Sequence, residues 1–123
     1  HNLRYYPCVQ QIRQMIAAGE LGEVLAVQGT YSQDWLLYDT DYNWRIEAKD
    51  NGALRAMGDI GSHWMDMIQH LTGLPITAVC GELATFHNTR KKPKAAVQTF
   101  AGKTLQPEDY DEVPIDTDDF GAV

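Results

Sequence analysis

Apolar residues recur along this 123-residue chain with two different periods, and each period predicts a different element. Val9, Ile12 and Ile16, with Met15 beside them, repeat every three or four positions after Pro7. That spacing predicts a helix over 7–18 with one buried face. Pro7 suits its first turn, where a missing N–H costs no hydrogen bond, and Gly19 and Gly22 supply the stop. From Glu23 to Gln33 the period falls to two. Val24, Ala26, Gln28 and Thr30 share one face, and Leu25, Val27, Gly29 and Tyr31 the other, which predicts a strand covered on one side. A second helix is predicted from Leu54 to Leu71, with Met57, Ile60, Trp64, Met67, Ile68 and Leu71 on one side and Gly73 and Pro75 ending it. Residues 76–88 alternate again and predict a strand. Residues 89–117 are polar and broken by Pro93, Pro107 and Pro114, which predicts a long surface excursion. Asp118 to Val123 reads as the start of a further strand. No internal repeat is present.

The polar positions carry the chemistry. Asp59, His63, Asp66 and His70 form a second stripe on the long helix, and Asp59 and His63 stand about one turn apart. A carboxylate beside an imidazole moves protons near neutral pH, with His63 as general acid/base and Asp59 orienting it or touching a hydroxyl. The same spacing fits a structural reading, in which Asp59 caps or bonds backbone amides and His63 is a satisfied interior histidine. His63, Asp66 and His70 are also metal-ligand types, but no tight H-E-x-x-H pair is present, and three ligands on one helix rarely close a site. The sequence therefore points away from a metal. His70 reads as solvated.

Residues 34–53 hold Trp35, Tyr38, Tyr42, Trp44 and Arg45 among several aspartates. A loop of this length is uncommon in a compact domain unless it has a function. It reads either as a substrate wall, with aromatic faces for sugar rings, or as an irregular loop pinned by its aromatics.

Composition narrows these readings. Hydrophobic content of 44% and charged content of 22% suit a globular domain with a real core. No apolar run reaches the roughly 20 residues of a membrane helix. A net charge of −7 argues against nucleic acid or an anionic membrane as partner. The basic run Arg90 to Lys94 reads as a solvated loop. Cys8 and Cys80 lie in apolar contexts, which predicts buried reduced thiols and a cytoplasmic setting. His1 is not a natural start, so the chain reads as truncated at both ends. It holds no G-x-G-x-x-G, P-loop or nucleophile elbow.

Three stretches add a resemblance: HNLRYYP, QDWLLYDTDYNWR and GALRAMGDIGSHWMDMIQHLTG. In this order they resemble the glucose–fructose oxidoreductase/inositol dehydrogenase/rhizopine-catabolism (Gfo/Idh/MocA) family. EDYDEVPIDTDDFGAV is similar to the segment with which that family re-enters its sheet. The resemblance implies an NAD- or NADP-dependent oxidoreductase of a sugar, polyol or related hydroxy compound. It implies two domains: a Rossmann domain, which this chain lacks, and an α+β domain. Residues 1–123 would belong to the latter, which has a large, open, mainly antiparallel sheet with helices on one face, like the C-terminal domain of GAPDH. The family's catalytic Asp and His fall on Asp59 and His63. Its catalytic lysine has no counterpart here. Asn2 and Arg4 would line the site, and Trp35, Tyr42, Trp44 and Arg45 would meet substrate. The dinucleotide would be bound mainly by the absent domain, leaving this piece alone inactive. The open sheet would pair copies as a homo-oligomer. The rival is a non-catalytic domain that uses the sheet only for association.

Overall fold

A computed structural model describes residues 1–95 and 107–123. After a 3₁₀ turn at Asn2–Tyr5, helix α1 runs Pro7–Ala17 with the proline in its first turn. Val9 is its buried residue. Gly19 follows with φ +75°, a left-handed conformation that glycine adopts without a Cβ penalty. Helix α2 is a single turn, Ala48–Asn51, preceded by a 3₁₀ turn at Trp44–Ile46. The long helix begins with a wide π turn, Met57–Gly61, and continues as α3, Ser62–Thr72. In the wide turn Gly61 N–H bonds the carbonyl five residues back, Ala56, at 3.0 Å. α1 packs along α3.

Four short strands make two antiparallel ladders. β1 (Glu82–Ala84) pairs with β4 (Phe120–Ala122), and β2 (Thr89–Pro93) pairs with β3 (Tyr110–Pro114). In the second ladder Lys91 faces Glu112 and Lys92 faces Asp111, opposite charges that favour the register. The core is small: Leu36, Ile46 and Ile115 are buried, with Trp35, Tyr42 and Val113 packed against them. The chain is thus α+β with antiparallel strands, but the described residues form two separate ladders rather than one large sheet.

Several expectations are corrected. The excursion over 89–117 contains β2 and β3, because charges and backbone bonds, not an apolar alternation, hold that ladder; its residues 96–106 lie outside the described residues. The basic run is accordingly a strand, not a loop. Arg90 meets Asp119, Lys91 meets Asp39, Lys92 meets Glu47 and Lys94 meets Asp111. Residues 23–33 join no ladder among the described residues, and only Glu82–Ala84 of the predicted 76–88 strand is paired. A strand needs a neighbour to take its N–H and C=O groups, and alternation alone supplies none. Gly29 nevertheless has a packing role: the Trp64 indole lies where its Cβ would be. Both cysteines are exposed and unpaired. Val9 takes the inward position of the first turn of α1, leaving Cys8 outside, and Cys80 sits in the unpaired stretch before β1.

Candidate active site

The start of the long helix is fixed from the far end of the chain. Asp118 accepts the backbone N–H of Arg55 at 2.5 Å on one carboxylate oxygen and that of Met57 at 2.7 Å on the other. Its own carbonyl accepts Ala56 N–H at 3.2 Å. Amides at a helix start have no partner within the helix, and a carboxylate is their strongest cap. Asp119, beside it, binds two guanidinium groups: Arg55, and Arg90 at 2.7 Å. Its second oxygen accepts Phe86 N–H at 2.8 Å and His87 N–H at 2.9 Å. Arg90 is fully buried and also donates to the carbonyls of Leu36, Tyr38 and Asp41. Burial pushes the Asp119 carboxyl upward, but the His87 amide and the two guanidiniums outweigh it and hold the group below the usual range. Burial lowers Arg55, against the pull of Asp119.

Above this tie lies a cavity of about 230 Å³, lined by Trp35, Arg45, Arg55, Asp59, His87 and Asp119 among others. Asp59 projects from the π turn and pairs with Arg45, Nε to Oδ2, at 3.3 Å. The Arg45 guanidinium carbon lies 4.7 Å from the ring centroids of both Trp35 and Trp44. Two indole faces thus cradle the cation, each contact of a kind worth about 0.5–2 kcal/mol. The faces that the sequence offered to sugar rings are shared with Arg45. Asn43 sets the turn that carries Arg45, its side-chain oxygen accepting Arg45 N–H at 2.9 Å.

His63 stands one turn along the helix. Its Nδ1 is enclosed and has no hydrogen-bond partner among the described residues. The His1 ring lies 4.1 Å away between centroids and the Tyr31 ring 6.2 Å away, edge-on. Tyr31 in turn lines a second cavity, of about 450 Å³, with Gly29, Trp64 and β4. Asp59 is therefore paired with Arg45 rather than with His63. The π turn between them widens the helix and moves Asp59 off the stripe that simple four-residue spacing implies.

The other predicted residues scatter. Arg4 grips Asp66 through two bonds, of 2.7 and 2.5 Å, tying the first turn to α3. Asn2 lies in that 3₁₀ turn, exposed. His70 is half-buried, 3.1 Å from the Gln10 amide, and its pKa is lowered by burial and then by Arg13 and Arg4. Tyr42 turns from the cavity and donates to Glu47 at 2.9 Å, under the Lys92 ammonium.

Glu47 is held down to about 2 by Lys49 first, then by Lys92 and the Tyr42 hydroxyl. A carboxylate lowered in the folded state contributes stability above its unfolded value of 4.5 and loses it as pH falls through about 2. Urea midpoints of the parent and of Glu47→Gln should therefore differ most above pH 5 and converge toward pH 2. Parallel pH curves would remove Glu47 from the acid response.

A dinucleotide does not fit the described residues. No glycine-rich turn leads from a strand into a helix among them. The start of the long helix, where a pyrophosphate would sit, already holds the Asp118 carboxylate. No cluster of three or more His, Cys, Asp or Glu residues could hold a metal ion among the described residues, nor is any helix there long and apolar enough to cross a membrane.

Sequence reasoning missed Arg55, Arg90, Asp118 and Asp119. Charge reads as exposure, so buried ion pairs leave no pattern. The one available signal was the run Asp116-Thr-Asp-Asp119, unusually acidic for the start of a strand.

Helices against antiparallel ladders recur in a solved structure. An oxidoreductase domain protein from Kribbella flavida is similar over 97% of this chain and 29% of its own, with 32% identity and a TM-score of 0.77. The fold is that of an oxidoreductase C-terminal domain. Residues 9–123 match the GFO/IDH/MocA C-terminal domain, and the chain belongs to that family. Levoglucosan dehydrogenase of Pseudarthrobacter phenanthrenivorans is 30% identical over 96% of this chain. Glucose-6-phosphate 3-dehydrogenase of Bacillus subtilis is 25% identical over 91% of it. The chain spans 30% of the length of each of these relatives.

Proposed function

We propose that this chain is the substrate-side part of an NAD- or NADP-dependent dehydrogenase that acts on a sugar, polyol or related hydroxy compound. The observation that carries the reading is the uncommitted ring nitrogen of His63. An enclosed polar atom with no partner calls for an explanation, and a proton-transfer role supplies one. Oxidation of a secondary alcohol releases a hydride and a proton. Hydride chemistry belongs to the cofactor, held mainly outside this chain; the chain's own share is the proton and the placing of the substrate. His63 takes the hydroxyl proton as the general base. Asp59, clamped by Arg45, accepts a substrate hydroxyl at the mouth of the 230 Å³ cavity. Arg4 fixes Asp66 and so ties the first turn to the helix that carries His63.

The names of the two dehydrogenase relatives support a sugar substrate. The unpaired Cys8 and Cys80 support a reducing, cytoplasmic setting. Apolar exposure at Leu25 and Val79 supports homo-oligomerisation. The same exposure favours the rival reading of an association domain without catalysis. The test is a panel of sugars and polyols offered to the full-length protein with NAD and with NADP, following nicotinamide absorbance. Turnover of a panel member supports the dehydrogenase. A protein that forms a stable oligomer but reduces neither cofactor supports the rival.

A further inference from the structure

The polar stripe of the long helix continues past His63. Asp66 and His70 follow at helical spacing, so all three side chains leave one face of α3. Both are engaged by the start of the chain. Asp66 accepts two bonds from one guanidinium, Arg4 Nε at 2.7 Å and Nη2 at 2.5 Å, a planar fork that fixes orientation as well as distance. Arg4 holds the Asp66 carboxyl below the usual carboxylate range, so the pair is ionised at neutral pH. The Gln10 amide makes a second tie. Its two hydrogens reach the Arg4 carbonyl and, at 3.1 Å, His70 Nε2. The turn Asn2–Tyr5 is thus held to α3 directly through Asp66 and, by way of Gln10, through His70. His1 opens that turn, and its ring centroid lies 4.1 Å from that of His63, the planes tilted by 51°. Aromatic pairs ordinarily stand about 4.5–7 Å apart, so these two rings are in close contact.

From this arrangement, and resting on the reading of His63 as general base, we propose that Arg4, Asp66 and His1 are positioning residues for the proton transfer. Arg4 and Asp66 hold the first turn, the turn presents His1, and the His1 ring fixes the imidazole plane of His63. Such a restraint is needed because the imidazole rotates about two single bonds, and its Nδ1 has no hydrogen bond to hold it among the described residues. A catalytic base is commonly oriented by a hydrogen bond from a third group. Ring contact takes that part here. The restraint bears on rate, since a base must stand within about 2.6–3.2 Å of the proton it takes, and a misplacement of about 1 Å can cost 10²-fold. The stripe whose spacing suggests metal ligands is a rail that docks the first turn beside the base.

Steady-state kinetics of the full-length protein, on a sugar or polyol that it oxidises, tests the proposal. Asp66→Asn and His1→Ala should each lower kcat by about 10–10²-fold with KM near the parent value. His1→Phe, which keeps a ring, should restore most of the His1→Ala loss. A double-mutant cycle is decisive. In a His63→Gln background, Asp66→Asn and His1→Ala should cost almost nothing more, because no base is left to place. A merely structural role would lower the folded fraction and apply the same factor in both backgrounds. Additive losses, parent-like kcat in Asp66→Asn or His1→Ala, or a His1→Phe variant as slow as His1→Ala overturns this proposal and leaves the dehydrogenase reading standing. Parent-like turnover by His63→Gln, or no turnover by the parent protein, removes that reading and the proposal with it.

Discussion

On the proposed dehydrogenase reading, His63→Ala in the full-length protein is expected to lower turnover of a sugar substrate by about 10²–10⁴-fold, the usual contribution of a positioned general acid/base. The expectation rests on a ring nitrogen that no structural hydrogen bond occupies. A histidine kept for packing would leave turnover near the parent value, because its loss would act on stability. Two further readouts separate the roles. The kcat should fall with KM little changed, since a positioned base acts in the chemical step rather than in binding. The urea midpoint should change little, because the side chain donates and accepts nothing from Nδ1 that the fold needs. Parent-like turnover of a confirmed substrate sinks the assignment. His63→Gln serves as the conservative partner: it keeps polarity and removes the proton acceptor.

The second large effect is on stability. Asp119→Ala strips the counter-charge from Arg90, whose side chain is 0% exposed, and from Arg55, whose side chain is 10% exposed. Removing one partner of a buried ion pair costs about 3–5 kcal/mol, because the other is left charged and dry. Two arginines are affected here, and two backbone amides, Phe86 and His87, lose their acceptor as well. Against a typical domain stability of about 5–15 kcal/mol, that loss leaves the fold marginal or absent. Urea denaturation of the parent and variant measures it directly. A change below about 1 kcal/mol, the level of an exposed pair, would show that the network contributes only as a surface salt bridge does. Asp119→Asn keeps one acceptor and should fall between the two.

These two residues also show what the sequence could reveal. His63 was legible because its helix is amphipathic: the apolar positions from Met57 to Leu71 fix its face, and Gly73, at φ +74°, ends it. Helix α1 was legible for the same reason, its limits Pro7–Ala17 lying within a residue of those predicted. Asp119 was not legible. Its partners lie 64 residues away at Arg55 and 29 away at Arg90, and no local period encodes such a pairing. The β2–β3 ladder was hidden by its composition, since Thr-Arg-Lys-Lys-Pro and Tyr-Asp-Glu-Val-Pro carry charges on both faces. Residues 23–33 failed in the opposite direction, with a clean alternation and no neighbour among the described residues to complete it. Arg45 was legible as a residue of the site. Its contact was not: it meets Asp59 and two indoles, and a sequence cannot say which of several nearby groups a guanidinium will meet.

The cap on the long helix has a consequence for the order of biosynthesis. The helix start at residues 55–57 is closed by Asp118, about sixty positions downstream. On the ribosome, α1 and α3 emerge and can pack while those amides still bond water. Domains form from the N-terminus forward at the pace of translation, so the cavity beside Asp59 is assembled after both helices. Its geometry is set only when the acidic pair at 118 and 119 leaves the exit tunnel. A stop codon placed just before that pair would yield a chain with its helices but without the groups that hold them at the site.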